Sequence, residues 1–245
     1  MKNKNVLVTG ASRGIGRAIA IAFAEAGWSV GICCRHSAAE LESLKKIIEA
    51  MGRRCFACLG DIGNYEDARA FVTGAADFLG PIDCLVNNAG ISHIGLLSDM
   101  SPEEWNHIIQ TNLTSVFNCC HGIIPGMVAR QTGSIINISS VWGICGASCE
   151  VHYSAVKAGV IGLTKALAKE VGPSGIRVNC IAPGAIATRM NDNLDEEAVA
   201  LLREETPLGR MGTPEEIAKA IAFLALEDSA FTTGQVLSPN GGLVI

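Results

Sequence analysis

The hydrophobic pattern begins with a short apolar run, Asn5-Val6-Leu7-Val8, closed by Thr9-Gly10. A run of that length with β-branched residues predicts a buried strand. A helical pattern follows at once in Ala18-Ile19-Ala20-Ile21-Ala22-Phe23-Ala24. The two periods then alternate along the chain. Further strands are predicted at Ser29–Cys33, Cys55–Leu59, Asp83–Asn87, Ser134–Ile138, Arg177–Ile181 and Gln235–Ser238. Helices are predicted near Ala38–Met51, Asn64–Leu79, Pro102–Arg130, Val151–Val171 and Pro214–Leu226. No linker, repeat or low-complexity tract interrupts them, so the expectation is one α/β domain, 1–245, with a doubly wound parallel sheet of Rossmann type. Asn191 to Pro207 departs from the pattern with polar, acidic helix formers. That segment is either a lid over a substrate or a plain surface helix.

Composition changes this picture little. The 245 residues fit one large α/β domain. Hydrophobic residues make up 49% but aromatics only 5%, so small apolar side chains fill the space between helices and sheet. A formal charge of −5 gives no reason to expect nucleic acid or an anionic membrane as partner. No segment approaches the length of a transmembrane helix, and the apolar start at Val6 is too short for a signal-peptide core; a cytoplasmic location is expected. The ten cysteines, in a chain of this size, read mostly as small buried hydrophobes rather than disulfides. Cys55-Phe56-Ala57-Cys58 has a metal-like spacing but no second pair, and no metal is expected there.

Candidate chemistry lies in two places. Gly10-Ala11-Ser12-Arg13-Gly14-Ile15-Gly16 stands between the first strand and the first helix. Glycines in such a turn let the backbone approach a pyrophosphate, whose charge the helix N-terminus stabilises. The spacing is G-x-x-x-G-x-G rather than G-x-G-x-x-G. Further on, Tyr153 and Lys157 are four residues apart and share one helix face, with Ser140 thirteen residues before the tyrosine. An ammonium beside a phenol favours the phenolate, which predicts a tyrosine pKa below its ordinary value of about 10. A phenol of that kind donates a proton near neutral pH, as a carbonyl accepting hydride requires.

Together these residues resemble the short-chain dehydrogenase/reductases, from about Lys4 to Gly242. Thr9 to Gly16 matches that family's cofactor turn, with Gly10, Ser12, Arg13, Gly14, Ile15 and Gly16 as its contacts. Asn87-Asn88-Ala89-Gly90 matches the motif after the fourth strand, so Asn88, Ala89 and Gly90 also face the cofactor. Asn112, Ser140, Tyr153 and Lys157 match the catalytic tetrad. Pro183-Gly184, with Ile186 and Thr188, matches the segment that contacts the nicotinamide. Asp61 matches the aspartate that reads the adenine ring, with Ile62 beside it. The resemblance implies that Ser140 polarises a carbonyl and Tyr153 supplies the proton. It implies that Lys157 anchors the nicotinamide ribose and Asn112 holds a water linking the lysine to solvent. A homotetramer built on the helices bearing Asn112 and Tyr153 is also implied, and the apolar face from Phe117 to Val128 suits it.

Cofactor choice turns on the end of the second strand. An NAD site places a carboxylate there for the ribose 2′-hydroxyl. The chain instead reads Cys33-Cys34-Arg35-His36-Ser37, and Arg35 with Arg13 can clamp a 2′-phosphate, which favours NADP(H).

For the substrate, two branches of the family are similar over this length. In 3-oxoacyl-[acyl-carrier-protein] reductases, arginines for the acidic carrier are expected at positions occupied here by Ser134 and Ser174. Gly146-Ala147-Ser148-Cys149-Glu150-Val151 resembles instead the elongation factor P 5-aminopentanone reductases, which reduce a ketone carried on a lysine of that protein. Glu150, three residues before Tyr153, either pairs with a cationic amine of such a substrate or is simply favoured by a helix dipole, by about 0.3–1 kcal/mol. These features make the elongation factor P ketone the expected substrate and the acyl carrier ketone the alternative. A non-catalytic NADP-binding scaffold is a third reading, disfavoured by the complete tetrad.

Overall fold

The structure, a computed structural model, describes residues 4–191 and 195–245. Seven strands form one parallel sheet: β1 (Asn5–Thr9), β2 (Ser29–Cys34), β3 (Cys55–Leu59), β4 (Cys84–Asn87), β5 (Gly133–Ile138), β6 (Ile176–Ile181) and β7 (Val236–Leu237). Their order is β3-β2-β1-β4-β5-β6-β7. The chain winds outward from β1 to β3, then returns to place β4 on the other side of β1. At such a reversal the crossover helices diverge and leave a crevice beyond the carboxyl ends of the strands.

Helices cover both faces: α1 (Gly14–Glu25), α2 (Ala38–Ala50), α3 (Tyr65–Leu79), α4 (Pro102–Ile109), α5 (Ser115–Arg130), α6 (Trp142–Cys145), α7 (Val151–Val171), α8 (Glu196–Glu205) and α9 (Pro214–Ala225). Because strand side chains alternate, β1 feeds two cores. Val6 and Val8 pack with Phe23 of α1, Leu44 of α2 and Ile221 of α9. Leu7 turns the other way, toward Phe71 of α3, Ile123 of α5 and Val160 of α7. Burial of each such side chain contributes about 1.5–3 kcal/mol.

Three sequence expectations change in detail. The helix predicted over Pro102–Arg130 opens on a capping box between Ser101 and Glu104 but is divided by a π-helical turn at Gln110–Thr114. The last strand is only Val236–Leu237. Of the segment read as a lid, residues 192–194 lie outside the described residues; the rest is mainly α8, capped by Asp195 and without a buried side chain.

Seven cysteines are buried, Cys58 and Cys149 are half-buried, and Cys145 is exposed; all ten are free thiols. Cys55 and Cys58, three apart on β3, point to opposite faces of the strand. Among the described residues no helix is long and apolar enough to cross a membrane.

Candidate active site

The glycine turn is pinned by the neighbouring strand ends. Thr9 Oγ1 accepts from the amides of Asn88 at 3.0 Å and Ala89 at 3.1 Å. Asn88 Nδ2 donates back to the carbonyls of Thr9 at 2.9 Å and Gly10 at 3.1 Å. Gly10 must be glycine: its φ is +63°, and a Cβ there would lie 2.8 Å from the Ala89 Cα. Beyond the turn, α1 begins without a side-chain cap and without an acid in its first turn. Its first amide groups are therefore free to bind an anion.

A cleft of about 590 Å³ opens beside this turn, lined by Ser12, Arg13, Gly14, Arg17, Glu40 and Arg189, with Thr188 among them. Uncapped amides and three guanidinium groups are a donor set suited to the phosphates of a dinucleotide. Sequence reasoning had found Arg13 but missed Arg17 and Arg189. Arg17 was legible, lying one turn after Arg13 on the same face; Arg189 joins only through the fold. Arg35, the other expected phosphate clamp, is not in this cleft. Its Nη1 lies 3.5 Å from Asp61 Oδ2, so two residues assigned separate parts of the cofactor are paired with each other. Ile62 is otherwise committed too: its side chain is in the core and its carbonyl accepts from Asn118 Nδ2 at 3.0 Å. Only its backbone amide remains for a ligand. Ile186 is likewise buried, and its backbone bridges to Gly212.

The tetrad residues come from three places in the chain: the π-helical turn, the loop after β5, and α7. Asn112 sits in the π-helical turn, fully buried. Its Oδ1 accepts from the Ile91 amide at 3.1 Å and its Nδ2 donates to the Ile108 carbonyl at 3.0 Å. The extra residue of a π turn is what rotates this side chain inward, a device common at functional sites. Gly90 leaves the room: a Cβ there would stand 2.6 Å from Asn112 Oδ1 and 3.5 Å from Lys157 Nζ. Ser140 follows β5, buried, and its Oγ accepts from the Trp142 amide at 3.2 Å. Tyr153 and Lys157 share the inner face of α7, the ammonium 5.4 Å from the phenol ring centre. Lys157 Nζ donates to the Ile138 carbonyl at 2.9 Å. A buried chain behind them runs from Asn87 Nδ2 to Asn137 Oδ1 and from Asn137 Nδ2 to Thr164 Oγ1, each 2.9 Å, fastening α7 to β4 and β5.

The electrostatics correct the sequence reading. The tyrosine pKa is raised, not lowered: burial is the main cause, the Glu150 carboxylate adds to it, and a hydrogen bond with Ser140 opposes it. Burial also pushes the Lys157 ammonium down to about 8. The lysine is held by a backbone carbonyl beside the ring, so desolvation outweighs its attraction for the phenolate.

Glu150 stands at the N-terminus of α7 yet does not cap the helix. It accepts instead from Ser92 Oγ at 2.5 Å, and the Gly95 amide donates to the Cys149 carbonyl at 2.9 Å, closing loop on loop beside the tyrosine. His152, next to the tyrosine, is 1% exposed, and neither ring nitrogen has a hydrogen-bond partner among the described residues. The Ser134 argument fails: that residue is buried in β5 with its Oγ 3.4 Å from the Leu224 carbonyl, so it is not a surface position for a carrier. Ser174, in the turn before β6, is half-buried.

A family model described as enoyl-(acyl carrier protein) reductase matches residues 10–244. The chain belongs to the short-chain dehydrogenase/reductases. It is thus an oxidoreductase acting on a ketone or hydroxyl group, not a bare scaffold. It is 46% identical to a 3-oxoacyl-[acyl-carrier-protein] reductase of Chlamydia trachomatis over 98% of this chain and 97% of that one. A protein of the same name from Staphylococcus aureus is 42% identical over 98% of both. The crystal structure of a 3-oxoacyl-[acyl-carrier protein] reductase from Brucella melitensis superposes with a TM-score of 0.92 at 41% identity, covering 100% of this chain and 92% of that one.

Proposed function

We propose that this protein is an NADP(H)-dependent 3-oxoacyl-[acyl-carrier-protein] reductase. The observation carrying the reading is its similarity, over nearly its whole length, to enzymes of that name. That similarity favours the acyl carrier ketone, the alternative in the sequence reading, over the elongation factor P ketone expected first.

A bound dinucleotide would supply or accept the hydride. Around it, Ser12, Arg13, Gly14, Arg17 and Thr188 hold the phosphates, and Ser140 donates to the carbonyl oxygen. Tyr153 gives that oxygen its proton. The phenol carries that proton at neutral pH, and the Lys157 ammonium beside it offsets the burial that disfavours its ionisation as the proton leaves. Lys157 stabilises the phenolate left behind and holds the ribose, while Asn112 links it through a water to solvent. A cytoplasmic homotetramer and closure of α8 over the substrate belong to the same reading.

A second substrate is favoured by one observation. The Glu150 carboxylate, fixed by Ser92 beside Tyr153, offers a charge that an acyl thioester does not use. An amine-bearing ketone on elongation factor P would pair with it. The deciding experiment gives the purified enzyme NADPH with acetoacetyl carrier protein and, separately, with elongation factor P bearing 5-aminopentanone. Reduction of the thioester alone supports the first reading; a shift in the intact mass of elongation factor P alone replaces it with the second. In the second case Glu150→Gln raises KM for the charged ketone and spares a neutral one.

A further inference from the structure

The cleft beside the glycine turn contains an acid that no phosphate site calls for. Its lining carries Arg13, Arg17 and Arg189 against Glu40 alone, three positive charges less one negative, a formal balance of +2. Glu40 lies in the first turn of α2 and reaches across the cleft, where Oε1 accepts from Arg189 Nη1 at 2.8 Å. The two residues are 149 positions apart in the chain. Arg17 Nη1 is directed at the backbone carbonyl of the same Glu40, at 3.4 Å. The second carboxylate oxygen, Oε2, is buried without a hydrogen-bond partner among the described residues. Among those residues Arg13 has no ion pair.

We propose that Glu40 competes with a phosphate of the dinucleotide for Arg189, so that the pair is a latch that sets cofactor affinity. The inference rests on the NADP(H) reading above. A carboxylate with one oxygen paired and one buried unsatisfied is a poor final partner for a guanidinium. A phosphate offers more charge and can engage the fork of Arg189 bidentately while meeting Arg13 and Arg17. Glu40 acts against that binding in two ways: it occupies Arg189, and it repels the incoming anion. Arg189 follows Thr188 directly, so both residues line the same cleft. Glu40 and Arg189 are thereby residues that set affinity for the cofactor.

The anion is either the 2′-phosphate or the pyrophosphate, and titration with two cofactors separates them. Dissociation constants for NADPH and NADH are measured by calorimetry on the full chain for wild type, Glu40→Gln, Arg189→Gln and the double variant. Glu40→Gln is expected to tighten NADPH binding about twofold to fivefold, the range for a partly exposed pair. Arg189→Gln is expected to weaken it by a similar factor, and Glu40→Gln added to that background has a smaller effect. Opposite signs are the signature of competition, since a pair that merely braced the fold would weaken binding from either side. A gain for NADPH alone identifies the 2′-phosphate, and an equal gain for NADH the pyrophosphate. Unchanged or weaker NADPH binding in Glu40→Gln, with its melting temperature preserved, overturns the latch. A wild type that binds NADH but no NADPH removes the cofactor reading, and this inference with it.

Discussion

At Tyr153 and Lys157 burial governs which form of each group is favoured. The phenol is pushed up and the ammonium down to about 8, both chiefly by desolvation. Tyr153→Phe keeps the ring and its packing but removes the proton donor, so turnover should fall about 10²–10⁴-fold while NADPH binding survives. Steady-state kinetics beside a binding titration check this; undiminished turnover would assign the acid elsewhere. Lys157 also makes stability depend on pH. Its folded pKa of about 8 lies below the ordinary 10.5, so between those values the unfolded chain carries a proton the folded one lacks. Stability contributed by this group therefore rises with pH through that window. Urea unfolding at pH 7 and pH 9.5 should show wild type gaining roughly 1–2 kcal/mol relative to Lys157→Met. Above pH 10 the raised tyrosine acts in the opposite sense, because only the unfolded phenol then ionises readily.

Among the elements, the π-helical turn between α4 and α5 has the clearest local consequence. The apolar and polar pattern of Pro102–Arg130 is continuous, and nothing in it marks an added residue at Gln110–Thr114. What favours the π turn is tertiary: the Asn112 amide bridges the Ile91 amide and the Ile108 carbonyl, in space that Gly90 leaves open. Asn112→Ala removes a buried bond to the Ile108 carbonyl and a part-buried one to the Ile91 amide, and a buried group left unsatisfied costs about 1–3 kcal/mol. The variant should lose stability on that order in urea unfolding and also lose activity. Full stability with lost activity would give Asn112 a purely chemical role. The glycine turn is the opposite case, since its strand–turn–helix context and glycine spacing were visible in the sequence.

For the molecule as a whole, the exposed apolar surface of α5 bears on assembly. Phe117 is 51% exposed and Val128 37%, while Val116, Ile123 and Met127 of the same helix are buried against the sheet side. Exposed apolar side chains of this size at one face suit an interface between copies. Light scattering should find a tetramer for the native chain, and Phe117→Asp should shift it toward smaller species at micromolar concentration. A wild type that runs as a monomer would remove the tetramer reading.

The alternating periods of the sequence determined the parallel sheet and its helices, because each strand and helix must bury its apolar positions and only a layered arrangement does so for all. The glycine turn and the Tyr153–Lys157 pair were legible for a related reason: their meaning depends on residues near in sequence. The tertiary structure alone decided which charges meet. Arg189 reaches Glu40 across 149 residues, Arg35 turns to Asp61, and Ser92 fixes Glu150. It also decided the direction of the tyrosine pKa, because desolvation depends on everything packed around a group, whereas the spacing of four residues records only one neighbour.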